Sequence, residues 1–341
     1  MNSKELTKQV LDGQKPQRPL FCPAIYEHKA RLTGVSVSEL STSSDLLAEA
    51  CLAEWEKYAP DMLTVGIDIY NVEAQVIGAE VCFGQGDDSV PHLAAPLVTS
   101  LSSFNMPAVD DIYSKGRIKV FVDAADKLNK QVGSEVMVRG SVSGPYSIAA
   151  ALMGIEPAIM AAIMEPDAFS RLLDYCLDIA ISYGREYAKR GIGICMFDSQ
   201  AVPPLLSPDT YKELVLPRVQ RFAREMKSAG AEMLEYVTGG DTTAIASLLA
   251  ETGFDVILSD FPSDIEAFID AAKSSKVVVR RNISPVLIEN GASVELDNAI
   301  GAALKVVENN SNVIIGTGVL SYNVEPQNII AVAEKVRSIN N

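Results

Sequence analysis

Histidine is almost missing from this chain of 341 residues, which carries only His28 and His92. A mechanism built on a positioned imidazole must use one of these two, and their separation along the chain gives no metal-ligand spacing. His28, in Tyr-Glu-His-Lys-Ala-Arg just past the first apolar run, is the better placed for a site role. Cysteine is scarce too. Cys22, Cys51, Cys82, Cys176 and Cys195 are an odd set with no Cys-x-x-Cys pair, which argues against a disulfide framework and a structural zinc. Beyond Cys195 neither Cys nor His occurs.

Basic charge is in deficit, with 29 Lys and Arg against 44 Asp and Glu and a formal net charge of -15. The richest basic sites, Lys115 to Lys119 and Arg280 with Arg281, are too small for a nucleic-acid stripe. The glycine pairs at Gly84 and Gly316 lack the third glycine of a dinucleotide fingerprint, and no P-loop occurs. The amino terminus has no apolar signal core, and the longest apolar run, 148 to 164, is broken by Glu156 and Pro157. No membrane span is expected, and a cytoplasmic location is.

What the chain does have is core. With 48% hydrophobic and 21% charged residues, it can bury a large interior. Eight near-continuous apolar runs, at 19–25, 61–68, 135–142, 192–199, 232–238, 255–260, 276–283 and 312–318, read as strands of a parallel sheet covered on both faces. Amphipathic helices lie between them. In 208–228, Tyr211, Val215, Val219, Phe222 and Met226 recur at helical spacing behind Ser207 as N-cap and Pro208 at the first helical position. A second helix is expected over 166–189. The alternation predicts a (β/α)8 TIM barrel, a single domain over 1–341 with an excursion over one rim at about 81–106.

Barrel chemistry sits at the carboxyl ends of strands. There the chain offers Asp68, Asp198, Ser199, Glu235, Thr238, Asp260, Asn282 and Thr317. This acidic and amide-rich ring suits hydrogen bonding to a polar neutral heterocycle, or acid-base work by a carboxylate whose pKa is raised by burial. Asp241 and Asp260 are the readiest helix caps. Glu235 lies inside an apolar run, where an unpaired charge is costly, which marks it for function.

Several stretches resemble the uroporphyrinogen decarboxylase superfamily, and more closely its methylcobamide methyltransferase branch. They are VSGPYSIAAALMG (142–154), FDSQAVPPLLSPDTYKELVLP (197–217), GGDTT (239–243), RNISP (281–285) and GTGVLSYNVEPQNI (316–329). The resemblance implies the same barrel. Asp68 and Ser199 match the decarboxylase's substrate-coordinating aspartate and its serine. The decarboxylase's arginine pair, tyrosine and late histidine are not matched: the first place reads PAIYEHKAR, and the other two fall on Ala151 and Thr317. The thiol-directed methyltransferases hold zinc through a His-x-Cys pair and a later Cys, and those positions fall on Val237, Gly239 and Thr317 here.

An amine acceptor attacks a methyl-cobalt bond without metal activation, provided a carboxylate takes up the proton. The resemblance therefore implies a zinc-free methylcobamide:tetrahydrofolate methyltransferase. Its methyl donor is the methylated corrinoid (cobalamin) of a separate corrinoid-binding protein, since the chain has no Asp-x-His-x-x-Gly motif, and that protein is expected at the 81–106 rim. Tetrahydrofolate is the expected acceptor. Glu235 and Asp198 are expected to be catalytic, with Asp260, Asn282, Asp68, Ser199, Thr238 and Thr317 binding the pterin. A decarboxylase or lyase on a less acidic ring, and a non-catalytic barrel that docks a corrinoid protein, are the alternatives.

Overall fold

The computed structural model describes residues 1–68 and 70–338. Eight parallel strands are numbered here in chain order: β1 (Phe21–Ile25), β2 (Met62–Val65), β3 (Met137–Ser143), β4 (Gly193–Phe197), β5 (Leu234–Val237), β6 (Val256–Ser259), β7 (Val278–Ile283) and β8 (Val313–Leu320). The ladder runs β1-β8-β7-β6-β5-β4-β3-β2, with every recorded pair in it parallel and in regular register apart from a bulge in β8, where Thr317 and Gly318 stand opposite Pro23 of β1. This is the expected (β/α)8 barrel.

Its seam falls between β1 and β2. There the Asp61 N–H donates to the Phe21 carbonyl at 3.0 Å, and the Phe21 N–H donates to Asp61 Oδ2 at 2.8 Å. Arg18 clamps the same carboxylate with two hydrogen bonds of 2.6 and 2.9 Å.

Alternation along each strand sorts side chains between the barrel lumen and the helical layer. The lumen is filled in tiers. Leu20, Met62, Met137, Met233, Val256, Val278 and Ile314 close the amino-terminal end together with Leu6 and Val10 of the helix Ser3–Leu11. Ala24, Tyr26, Cys195, Phe197, Val237 and Leu258 form an apolar tier nearer the carboxyl ends. Between the two tiers lies a charged one, Arg139, Glu235 and Arg280, fully buried.

Of the two helices expected by name, one differs from the sequence reading. Pro166–Ala188 forms as expected, but 208–228 divides into Pro208–Thr210, a π-helical turn at Tyr211–Val215, and Leu216–Ser228. Pro217 has no N–H to return to the preceding turn, and the widened turn absorbs the missing bond. The 81–106 excursion contains a two-residue hairpin, Val81–Cys82 against His92–Leu93, and is tied to the barrel through Val98 N–H to the Leu152 carbonyl, 2.9 Å. Among the described residues no single helix is long and apolar enough to cross a membrane. The pair Pro145–Met153 and Ile155–Met164 is bent by 112°.

Candidate functional site

At the carboxyl ends of the strands a cavity of about 250 Å³ opens over the apolar tier, and Arg280 lies among its lining residues. Five of the eight expected site residues line it: Ser199, Thr238, Asp260, Asn282 and Thr317. Tyr26, Tyr70, Phe197, Val237, Leu258 and Val319 supply apolar walls, with Tyr26 meeting Phe197 edge-on at 5.5 Å between ring centroids. Tyr70 holds φ 76°, the left-handed region, a conformation that costs a bulky residue about 1–3 kcal/mol and clusters at functional sites.

The polar wall is cross-linked. Asn282 Nδ2 donates to Asp260 Oδ1 at 2.9 Å, and Asp260 Oδ2 accepts from the Gly240 N–H at 3.0 Å. Gly240 takes φ 72°, which lets the chain turn sharply after β5 and aim that N–H at Asp260. The following Asp-Thr-Thr extends the cross-link. Asp241 accepts from the Thr243 N–H at 3.0 Å, Thr242 N–H donates to Ser263 Oγ at 3.0 Å, and Asp264 N–H donates to Thr243 Oγ1 at 2.9 Å. Asp260 thus braces two loops instead of capping a helix, and Asp264 is the residue that caps the helix after β6. Thr317 Oγ1 accepts from the Ala24 N–H at 3.0 Å, bridging the two strands where the β8 bulge shifts the register.

Glu235 lies one tier below the apolar tier, where it joins two guanidinium groups. Its Oε1 is 2.7 Å from Arg280 Nη1, its other oxygen is paired with Arg139 Nη1, and Arg139 Nη2 donates to Thr64 Oγ1 at 2.8 Å. A carboxylate shared by two buried cations is committed to charge compensation. This placement gives Glu235 a structural task that a reading of its own strand does not reveal.

Asp198 points the other way, out of the lumen and toward the helix Pro145–Met153. Its Oδ1 accepts from the Ser147 N–H at 2.8 Å and its Oδ2 from Tyr236 Oη at 3.3 Å. Burial pushes its carboxyl up to about 6, with the Ser147 and Tyr236 hydrogen bonds holding it back. The carboxylate satisfies an orphan N–H at the helix start. Its link to the cavity runs through Tyr70, a cavity-lining residue whose buried hydroxyl lies in the neighbourhood of Ser199 and Ser147.

Asp68 also stands outside the cavity, in a narrow crevice with Glu73, Ser141 and Ser143. It pairs with Arg117 at 2.6 Å and accepts from Asn71 Nδ2, which also donates to the Pro91 carbonyl at 2.7 Å. Burial raises its carboxyl while Arg117 and Asn71 pull it back. Asp68 therefore anchors the rim excursion. His28 is buried, with Nε2 2.8 Å from Tyr58 Oη, and burial lowers its pKa.

Tyr26, Tyr70, Phe197 and Arg280 are the lining residues that strand-end reasoning missed. A signal for Arg280 existed: Val278, Arg280 and Asn282 alternate along β7, so an inward Asn282 implies an inward Arg280. Among the described residues no group of three or more His, Cys, Asp or Glu side chains is arranged to hold a metal ion.

Comparison with known proteins gives the following. The family model described as uroporphyrinogen decarboxylase (URO-D) matches residues 2–339. The chain is 26% identical over 72% of its length to a methylcobamide:CoM methyltransferase, MtaA, of Methanosarcina barkeri, covering 69% of that protein. It is 25% identical over 75% of its length to the methylcobamide:CoM methyltransferase MtbA of Methanosarcina mazei, covering 76% of it. It is 26% identical over 73% of its length to a uroporphyrinogen decarboxylase of Crocosphaera subtropica, covering 70% of it. A solved structure of a methyltransferase from Methanosarcina mazei superposes with a TM-score of 0.85 over 98% of both chains at 20% identity.

Proposed function

The chain belongs to the uroporphyrinogen decarboxylase family, and from that premise we propose that it moves a methyl group from a methylated corrinoid, carried by a separate protein, to N5 of tetrahydrofolate. Similarity to two proteins described as methylcobamide:CoM methyltransferases supports the corrinoid half of the reading. The acceptor half rests on one observation above all. The cavity sets the cross-linked Asp260–Asn282 pair between aromatic and aliphatic walls, a shape for a flat ring with a hydrogen-bonding edge. Val237, Gly239 and Thr317 line the same cavity at the places where the resemblance puts the zinc ligands of thiol-directed enzymes. They offer no thiolate or imidazole, which suits an amine acceptor.

In this reading the methylated corrinoid supplies an electrophilic methyl group, and the barrel binds, orients and dries the acceptor. A cavity of about 250 Å³ accepts a bicyclic ring and not a corrin macrocycle, so the corrinoid stays at the mouth, its protein docked on the 81–106 rim. The whole chain acts as one domain. Tyr26, Tyr70 and Phe197 enclose the ring, Ser199, Thr238 and Thr317 complete the wall, and Asp260 with Asn282 holds the edge. The proton lost as the amine is methylated passes by the Tyr70 and Ser147 hydroxyls to Asp198, whose carboxyl at about 6 is suited to receive it.

A second reading, decarboxylation of a less acidic ring, is favoured by Arg280 in the cavity lining, since a cation there suits a carboxylate. The test is to mix the protein with methylcobalamin and tetrahydrofolate and follow loss of the methyl-cobalt spectrum. Turnover with tetrahydrofolate is expected. A silent spectrum with tetrahydrofolate alongside turnover with a thiol would sink the proposal.

A further inference from the structure

Two polar atoms at the cavity stand without partners. Arg280 Nε and Asn282 Oδ1 have no hydrogen-bond partner among the described residues, although their side chains are 97% and 96% buried, at 3% and 4% exposure. Both residues line the cavity, and both crowd the same point of β8. A Cβ built on Gly316 would meet Asn282 Oδ1 at 2.6 Å and Arg280 Cδ at 2.8 Å. The two side chains that carry the unpartnered atoms thus pack directly against Gly316, where any side chain would displace them. The orientation of the Asn282 amide is set by its other end, because Nδ2 donates to the carboxylate of Asp260, which accepts only.

The wall therefore has a fixed order. Arg280 presents a donor, Asn282 an acceptor, and Asp260 a carboxylate with acceptor capacity left over. The donor also carries charge in excess. Glu235 is shared by Arg139 and Arg280, whereas the other buried cations among the described residues have carboxylates of their own, Lys29 with Glu54, Arg117 with Asp68 and Arg218 with Asp174.

We infer that this wall reads the lactam edge of the ring, with its carbonyl oxygen on Arg280, the adjacent ring N–H on Asn282 Oδ1 and the exocyclic amino group on Asp260. The inference rests on the folate reading and deepens it. A pterin edge runs acceptor, donor, donor, the complement of donor, acceptor, acceptor. The excess positive charge at Arg280 strengthens the bond to the oxygen, which carries the ring's partial negative charge. Leaving a dry donor and acceptor unpaired is costly to the empty protein, and a ligand that satisfies both regains that cost. Arg280 and Gly316 become specificity-determining residues, the first by its charge and the second by lacking a side chain.

Folic acid and its 4-amino counterpart, aminopterin, share one tail and differ at this edge. The amino compound presents donor, acceptor, donor, wrong at two of the three positions. Calorimetry with the full chain should find folic acid bound tighter on the order of a hundredfold or more, the scale on which a site built for polar groups rejects their absence. Gly316→Ala, which needs no unusual backbone angle, should abolish that preference while circular dichroism stays that of the wild type. Equal affinity for the two compounds, together with turnover of tetrahydrofolate, overturns the edge assignment and leaves the methyl-transfer reading standing. Failure of both to bind, with turnover of a thiol, overturns both.

Discussion

Glu235→Gln is the substitution whose outcome depends most on the buried triad. It removes the one negative charge shared by Arg139 and Arg280 and changes almost nothing in volume. Breaking a buried ion pair by removing one partner costs about 3–5 kcal/mol, because the remaining charge is left uncompensated. Here two cations lose their partner, but Gln keeps one carbonyl that can accept from one guanidinium, which sets the expectation near about 3–4 kcal/mol. Unfolding entropy of about 2.1 cal/mol/K per residue, over 341 residues, gives about 0.7 kcal/mol per degree, hence a Tm lowered by roughly 4–6 °C. Differential scanning calorimetry at constant pH and salt measures this. Glu235→Met should do more harm, while Arg139→Met combined with Glu235→Met should recover part of the loss, since the remaining pair imbalance is smaller. A Tm within a degree of wild type for Glu235→Gln would refute the idea that this carboxylate holds the two arginines in the barrel. Had Glu235 been a proton-handling group alone, the same substitution would lower turnover and spare stability, so the two measurements separate the roles.

The remaining expectations concern other tiers. For Asp198 the folded-state pKa of about 6 lies above the ordinary carboxylate value, so the native state holds more protons than the unfolded chain between roughly pH 4 and 6, and stability falls as pH rises through that window. Asp198→Asn, which keeps an acceptor for the Ser147 N–H, should remove that loss, with a Tm advantage over wild type that appears at pH 7 and fades toward pH 4.5; an advantage independent of pH would count against it. Leu6→Ala opens the amino-terminal plug and should cost about 2–4 kcal/mol in urea unfolding with kcat unchanged, because the plug closes the end away from the cavity. Asp260→Ala cuts the bond from Gly240 and the bond from Asn282; KM for tetrahydrofolate should rise tenfold or more, on the order of 1.4 kcal/mol of lost binding, and an unchanged KM would remove Asp260 from the ring edge.

The eight strands were legible because a parallel barrel buries both faces, and runs such as Ile192 to Phe197, without a polar side chain, read as strands covered on both sides. The lumen was half legible. Alternation assigns Cys195 and Phe197 inward, and therefore Asp198 outward, yet counting strand ends alone put Asp198 and Glu235 in one constellation. What no single strand could show was pairing across the barrel. Arg139 on β3 and Arg280 on β7 reach Glu235 on β5 only once the sheet has closed. Tyr70 was hidden for another reason: its place at the cavity depends on a left-handed backbone in the loop after β2, which composition does not announce in a tyrosine. Glu235 was therefore legible as a buried carboxylate, while its partners had to come from the fold.

The seam between β1 and β2 has a consequence for association. An open sheet edge is a template on which another chain can add a strand. Here the Phe21 N–H that such a strand would need is already taken by the Asp61 carboxylate, and Arg18 holds that carboxylate in place. The guard is a side chain, not a ladder, so it can be removed without rewriting the sheet. Losing Asp61 would expose two edges at once, one on each side of the seam, and turn the barrel toward exchange of its first strand with a neighbour. Self-association, more than loss of helix, is the failure this small cluster guards against.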